Sequence, residues 1–193
     1  MITKYKGVNA FVNKSVNALV RDWTGHLQAK KMIMISKYGK RVDEDGRTHI
    51  LCYEYHACPV CGHTLTVIGI RERKYIKSDG ITHILVIRRL RCKDCRVIHH
   101  ELPDILIPYK RHCAKTVENI LADKPDDTSC DDRTIKRIKA WWETCRLYFE
   151  NVLASLSEKY GVRFPQRPAP REIVRAVVNA NLWVHTRSAY LSG

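Results

Sequence analysis

Four of the eight cysteines fall into two Cys-x2-Cys pairs, a spacing that is typical of metal-binding thiolates. The first pair is Cys58 and Cys61, followed directly by Gly62, and the second pair is Cys92 and Cys95. Each pair forms a tight turn that aims both sulfurs at one point, and two such knuckles supply the four ligands of a tetrahedral structural Zn²⁺. We therefore predict one structural zinc ion with no open position for a catalytic water.

The residue pattern of the long spacer between the two pairs predicts a β-hairpin. Segments 64–70 and 82–87 are rich in β-branched residues, and Lys77-Ser78-Asp79-Gly80 between them is a turn signal. Because a hairpin brings its two ends together, both knuckles meet at its open end. The pattern predicts a zinc ribbon, a small antiparallel sheet, followed by helices, and therefore an α+β fold.

Other groups near the knuckles could compete as ligands, but each also has an ordinary structural role. A buried thiol in a strand is common, and a lone histidine is more often a surface or supporting residue. The adjacent pair His99 and His100 could line the site or touch phosphate. The groups that we leave unassigned as ligands are Cys52, His56, His63, His99 and His100.

The charge of the chain favours a polyanionic partner. Its 193 residues carry 34 Lys and Arg against 20 Asp and Glu, a net charge of +14, and the excess is spread along the chain. A basic surface that neutralises phosphates releases counterions, so nucleic acid is the simplest partner, with solubility alone as the other interpretation. An apolar fraction of 45% excludes wholesale disorder.

Basic residues also gather at the start of a predicted long helix. Segment 113–122 is predicted to be helical, Pro125 breaks it, and the long helix starts after Asp131 and ends at Gly161. Cations at a helix N-terminus oppose its dipole at a cost of about 0.3–1 kcal/mol each, so their presence favours a recognition helix of a helix-turn-helix-like segment. The predicted nucleic-acid contacts on hairpin and helices are Arg71, Arg73, Lys74, Arg88, Arg89, Arg91, Lys110, Arg111, Arg133, Lys136 and Arg137.

The long helix also carries an apolar stripe. Steps of three and four residues predict one buried face, formed by Ile135, Ile138, Trp142, Cys145, Phe149, Val152 and Leu156. An alternative function is that of a zinc-stabilised adaptor that bridges a transposase or polymerase. Under that alternative, Trp141, Tyr148 and Tyr160 would form an exposed apolar patch.

The residues favour a binding protein over an enzyme. Cys113, Cys130 and Cys145 are isolated and lack an activating motif, and no phosphate-cradling glycine loop or helical His-Glu-x2-His is present. The carboxylates are too few and too scattered for the three-carboxylate core of a transposase. We expect no catalytic residues.

The order of these motifs resembles a small family of bacterial proteins that pair a zinc ribbon with a helix-turn-helix-like segment and occur near transposase-type genes. It is also similar to the zinc-binding and DNA-binding front end of insertion-sequence transposases. The resemblance covers residues 33–185 and is most specific from Arg89 to His112. It implies double-stranded DNA binding in transposition or regulation of a mobile element, with Cys58, Cys61, Cys92 and Cys95 at the positions of the metal ligands.

The chain divides into four predicted segments. They are an N-terminal helical extension over 1–31, with a helix at 10–28, a zinc-ribbon antiparallel β domain over 32–107, a helical DNA-binding region over 108–164, and a Pro-rich linker with a short helix over 165–193. The absence of an apolar segment behind Met1, or of any membrane-length apolar run, leads us to expect a cytoplasmic location.

Overall fold

The computed structural model describes residues 32–183, which combine a six-stranded sheet with three α-helices. The predicted α+β class is confirmed, whereas the predicted helix over 10–28 lies outside the described residues. The described chain forms two compact units. The first contains 32–73, 84–103 and 178–181, and the second contains 74–83, 104–177 and 182–183.

The strands follow the β-branched segments of the sequence. They are β1 (Met32–Ile35), β2 (Tyr38–Val42), β3 (Thr48–Cys52), β4 (Leu65–Ile76), β5 (Thr82–Cys92) and β6 (Ile98–Pro103). Strands β4 and β5 pair with one another, and Gly80 N–H donates to Lys77 O in the turn that joins them.

The sheet is mixed, so the prediction of an antiparallel β domain is wrong. The strand order is β1-β6-β5-β3-β2, with β4 also paired to β5. Strands β2–β3 and β5–β6 are antiparallel, whereas β1–β6 and β3–β5 are parallel. The parallel partners are separated by intervening strands, and the residue pattern of a single strand carries no information on the direction of such a distant partner.

The core of the first unit is built from aliphatic side chains of β1 and β5. Met34, Ile35 and Leu85 are fully buried there. Asn179 satisfies the backbone of the edge strand β1, since its side-chain amide accepts from Met34 N at 2.8 Å and donates to Met34 O at 2.9 Å. The Asn179 side chain thus makes the two hydrogen bonds to the Met34 backbone that a neighbouring strand would otherwise make.

The helices are α1 (Ala114–Leu121), α2 (Asp132–Tyr160) and α3 (Pro170–Asn179), and one 3-10 turn at Pro125–Asp127 lies between the first two. The predicted limits of α2 are confirmed. Asp131 caps its N-terminus, with Oδ1 accepting from Thr134 N at 2.6 Å, and Gly161 ends it in the left-handed conformation at φ 63°.

The buried face of α2 is wider than the predicted stripe. Trp141 is buried beside Trp142, and both indole rings contact Phe149, while Ile135 is only half-buried. Tyr148 is half-buried and donates its hydroxyl to Leu182 O at 2.6 Å. The exposed patch of Trp141, Tyr148 and Tyr160 expected of an adaptor is therefore not formed.

Trp183 covers part of the buried face of α2, because its ring stacks on Phe149 with the two ring centroids 5.8 Å apart. Trp183 itself is buried. Within residues 32–183, no helix has both the length and the apolar character needed to cross a membrane.

Candidate metal centre

The four knuckle cysteines converge on one point. Cys58 Sγ lies 3.6 Å from Cys95 Sγ, and Cys61 Sγ lies 3.4 Å from Cys92 Sγ. All four sulfurs lie within 4.8 Å of one another. Sulfurs bound at about 2.3 Å to one tetrahedral ion lie about 3.8 Å apart, whereas a disulfide would bring two of them to about 2 Å. The spacing therefore suits a shared metal ion.

Both knuckles have the same backbone design. In the first, Gly62 N–H donates to Cys58 O at 2.8 Å, and Gly62 takes a left-handed φ of 78°. In the second, Arg96 occupies the matching position directly after the pair, with φ 62°. A non-glycine residue in this conformation costs about 1–2 kcal/mol, so the contacts around the second knuckle must offset this cost at Arg96. The glycine at position 62 indicates a left-handed turn from the sequence alone, whereas an arginine at position 96 gives no such indication.

Burial and backbone hydrogen bonds set the protonation of the cluster. The side chains of Cys58 and Cys92 are completely buried. Burial raises the pKa of the Cys58 and Cys95 thiols. Burial also raises the pKa of Cys92, but hydrogen bonds from the backbone N–H groups of Asp94 and Cys95 and from the thiols of Cys61 and Cys95 outweigh it and lower the Cys92 pKa to about 7. An arriving cation would replace the protons that the Cys58 and Cys95 thiols retain.

His99 lies against the cluster, although sequence reasoning left it unassigned. It is completely buried on β6, and its Nε2 is 3.4 Å from Cys58 Sγ. This position makes His99 a supporting hydrogen-bond partner of a ligand. The sequence feature that could have indicated this contact is the position of His99 on a β-prone segment shortly after Cys95.

A second cluster of ligand-type side chains lies in the same unit. The ligand atoms of Cys52, His56 and Glu101 lie within 4.8 Å of one another. Burial raises the pKa of the Cys52 thiol to about 11. Sequence reasoning weighed Cys52 and His56 as ordinary residues and overlooked Glu101, whose partner Arg88 lies on another strand.

A third group shares a ligand with the four-cysteine cluster. It consists of Cys61, His63 and Asp94, and His63 Nδ1 lies 3.4 Å from Asp94 Oδ2. Both of these side chains are 60% exposed, so the pair lies on the solvent-exposed surface of the knuckles.

The predicted basic residues of the hairpin differ in accessibility. Arg71 and Lys74 are exposed on β4, and Arg73, Arg89 and Arg91 are half-buried. Arg88 is committed to an internal ion pair, because its Nε and Nη2 donate to the two carboxylate oxygens of Glu101 at 2.6 and 2.7 Å.

The basic residues of the helical region are mostly open to solvent. Arg133, Lys136 and Arg137 are exposed in the first turns of α2, and Arg111 is exposed before α1. Lys110 is half-buried, with its Nζ 4.0 Å from the centroid of the Trp141 ring.

Residues 58–138 match the family model of a domain of unknown function, DUF6431. No curated protein and no solved structure is similar enough to this chain to match it. The matched segment runs from the first knuckle to Ile138 and spans the four cysteines, β4–β6, α1 and the basic first turns of α2.

Proposed function

We propose that this chain is a DNA-binding protein in which the four-cysteine cluster holds a structural zinc ion. Zn²⁺ is the metal that fits best, because an all-thiolate, tetrahedral, buried site is its usual structural environment in proteins. Two knuckles joined by the β4–β5 hairpin then form a zinc ribbon set into a larger sheet.

The helical region supplies the DNA-reading element of this proposal. Helix α1, the turn at Pro125–Asp127 and helix α2 follow one another as in an abbreviated helix-turn-helix segment, with α2 as the recognition helix. The capping of α2 by Asp131 stabilises its N-terminus, and Ile138 is the first of its buried residues.

One observation carries the proposal: Arg133, Lys136 and Arg137 are all exposed within the first two turns of α2. Cations at this end oppose the helix dipole, so folding gains nothing from placing them there. In a DNA complex, in contrast, arginines in the N-terminal turns of a helix that lies in the major groove can bind phosphate oxygens or guanine edges.

The net charge of +14 supports the same partner, because a large positive field steers a protein to DNA. Strand β4 adds to it, since Arg71 and Lys74 stand exposed on a strand whose segment 66–68 is open to solvent on both faces. The resemblance to transposase-associated proteins favours a role as a transposition accessory factor or a regulator of a mobile element.

The deciding experiment measures the affinity of the full zinc-loaded chain for duplex DNA over a range of salt concentrations. We expect log K to fall linearly with log salt, with a slope of about −0.9 for each phosphate contact. Selection from a random duplex pool should then enrich a defined site. Weak, sequence-independent binding in both assays would contradict the proposal.

A specific observation favours the adaptor as a second candidate. Val67, Ile68 and Ile70 of β4 are 49%, 39% and 62% exposed, which is high for large aliphatic side chains on neighbouring positions. Replacing Val67 and Ile70 with Thr should leave DNA affinity unchanged under the DNA-binding proposal. If the chain is an adaptor, the same replacements should abolish capture of its protein partner.

A further inference from the structure

Cys52, His56 and Glu101 form a cluster of metal-ligating side chains that is separate from the four-cysteine cluster. Cys52 ends β3, His56 follows in the connection to the first knuckle, and Glu101 lies on β6. All three residues belong to the first compact unit. The proposed function uses none of them.

The donor atoms are close enough to share one ion. Cys52 Sγ lies 3.8 Å from His56 Nε2, and a carboxylate oxygen of Glu101 lies within 4.8 Å of both atoms. One sulfur, one imidazole nitrogen and one carboxylate oxygen is a donor set that selects Zn²⁺ and similar transition-metal ions over Mg²⁺ or Ca²⁺, which prefer oxygen ligands.

The surrounding contacts hold these ligands in position. Glu101 is 1% exposed, and Arg88 binds both of its oxygens. A carboxylate offers about four lone-pair positions, so the two that Arg88 occupies leave others free to bind a cation. Carboxylate ligands of metals are commonly oriented by hydrogen bonds of this kind.

Glu54 stands beside the cluster as a further carboxylate. Its Oε1 is fixed by the backbone N–H groups of Ser36 and Lys37, at 2.7 and 2.5 Å. Its Oε2 is directed towards His56, 3.9 Å from Nε2. Glu54 is therefore a neighbouring carboxylate that faces His56 but lies outside the set of three ligand atoms that share one point.

The charges balance around a dication. Arg88 neutralises Glu101, so the remaining negative charges are the Cys52 thiolate and the Glu54 carboxylate. Together they match the charge of a divalent ion, and the occupied site is neutral overall. Neutrality matters because an uncompensated charge in a buried position strongly destabilises the folded state.

We propose that Cys52, His56 and Glu101 bind a second divalent transition-metal ion of the Zn²⁺ class, with water in the fourth position. A site with three firm protein ligands exchanges its ion more readily than a closed four-thiolate site. The second ion should therefore bind more weakly than the ion of the four-cysteine cluster.

The test uses the full chain with zinc already bound at the four-cysteine cluster. Zinc is added to saturation by equilibrium dialysis, and the metal content per chain is measured by elemental analysis. In parallel, Co²⁺ is added to the zinc-loaded protein, and the sulfur-to-cobalt charge-transfer absorption is recorded. Cys52→Ser and His56→Gln are compared with Cys130→Ser, which removes a half-buried thiol outside the cluster.

We expect the wild-type chain and Cys130→Ser to take up a second ion, and Cys52→Ser and His56→Gln to retain only the first. The cobalt charge-transfer band should disappear in Cys52→Ser and persist in Cys130→Ser. A wild-type chain that saturates at a single ion overturns the proposal. So does a second ion that both cluster variants still bind. If Cys52→Ser does not fold, His56→Gln and the wild-type stoichiometry decide.

Discussion

His99 Nε2 lies 3.4 Å from Cys58 Sγ, and both side chains are completely buried. A metal-bound thiolate carries no proton, so in the metal-bound protein the hydrogen of this bond must sit on His99 Nε2. An N–H donor of this kind draws charge from the sulfur and fixes its direction, as supporting residues do around other metal sites. Strand β6 thereby contributes to the candidate metal centre without supplying one of its four thiolates.

Replacing His99 with Phe should weaken metal binding by about 10–100-fold, the usual effect of losing a supporting hydrogen bond to a ligand. Phenylalanine keeps the ring in the core but has no donor. Competition with a chelator of known affinity measures the effect. His99→Gln is the matched control, because its amide N–H can still reach the sulfur and should restore most of the affinity.

If His99→Phe retained wild-type metal affinity, the hydrogen bond would have no role in the centre. If His99→Gln were as weak as His99→Phe, an N–H donor at this position would not be sufficient, and the loss in His99→Phe could not be assigned to the hydrogen bond.

Removing a thiolate ligand should have a larger effect. Cys58→Ser or Cys92→Ser is expected to abolish metal binding and the folding of the first compact unit, because structural zinc supplies about 10–16 kcal/mol of apparent binding free energy. Elemental analysis and circular dichroism check the two outcomes, with Cys130→Ser as the control. Freshly purified wild-type protein without zinc would contradict the assignment of the metal.

The sequence predicted the features that neighbouring residues encode. The two Cys-x2-Cys pairs, the turn at Lys77–Gly80 and the two ends of α2 each depend on a few adjacent positions, and the structure has all of them. Convergence of the four sulfurs follows from these local features, since a hairpin brings its own ends together.

Features that depend on distant partners could not be predicted in this way. The parallel pairing of β1 with β6 depends on the whole sheet, and the Arg88–Glu101 ion pair exists only because β5 and β6 are neighbours. Burial of Trp141 beside Trp142 requires a wide apolar face, which the three-and-four stripe did not indicate.

Lys110 provides a pH-dependent prediction. Burial lowers its pKa to about 8, and the nearby charge of Arg137 acts in the same direction. The ring of Trp141 favours the ammonium and opposes this shift. Because the pKa is lower in the folded than in the unfolded chain, the unfolded state binds more protons between about pH 8 and 10.5. The stability contribution of Lys110 should therefore rise with pH across that window.

Lys110→Met tests whether the stability contribution of Lys110 rises with pH, because methionine keeps an unbranched chain over Trp141 and removes the charge. We expect the variant to be more stable than the wild type near neutral pH and to lose that advantage as the pH rises through the window. Denaturant unfolding at several pH values, followed by tryptophan fluorescence, measures the difference. A pH-independent difference would show that the charge of Lys110 carries no penalty in the folded state.

The recognition-helix assignment predicts a selective loss of DNA affinity. Arg133→Ala combined with Arg137→Ala should flatten the slope of log K against log salt by about 2, close to 0.9 for each lost phosphate contact. Stability should not fall, because both side chains are exposed and both oppose the helix dipole. Gel-shift titrations at several salt concentrations and thermal unfolding measure the two quantities.

Arg146→Ala is the matched control for that double variant. Arg146 is exposed on the same helix, but it pairs with Glu143 and Glu150 and lies well beyond the first turns. Its loss should leave the salt slope unchanged. If Arg146→Ala weakened DNA binding as much per charge as the double variant, net charge rather than the N-terminus of α2 would govern the affinity, and the recognition-helix assignment would fail.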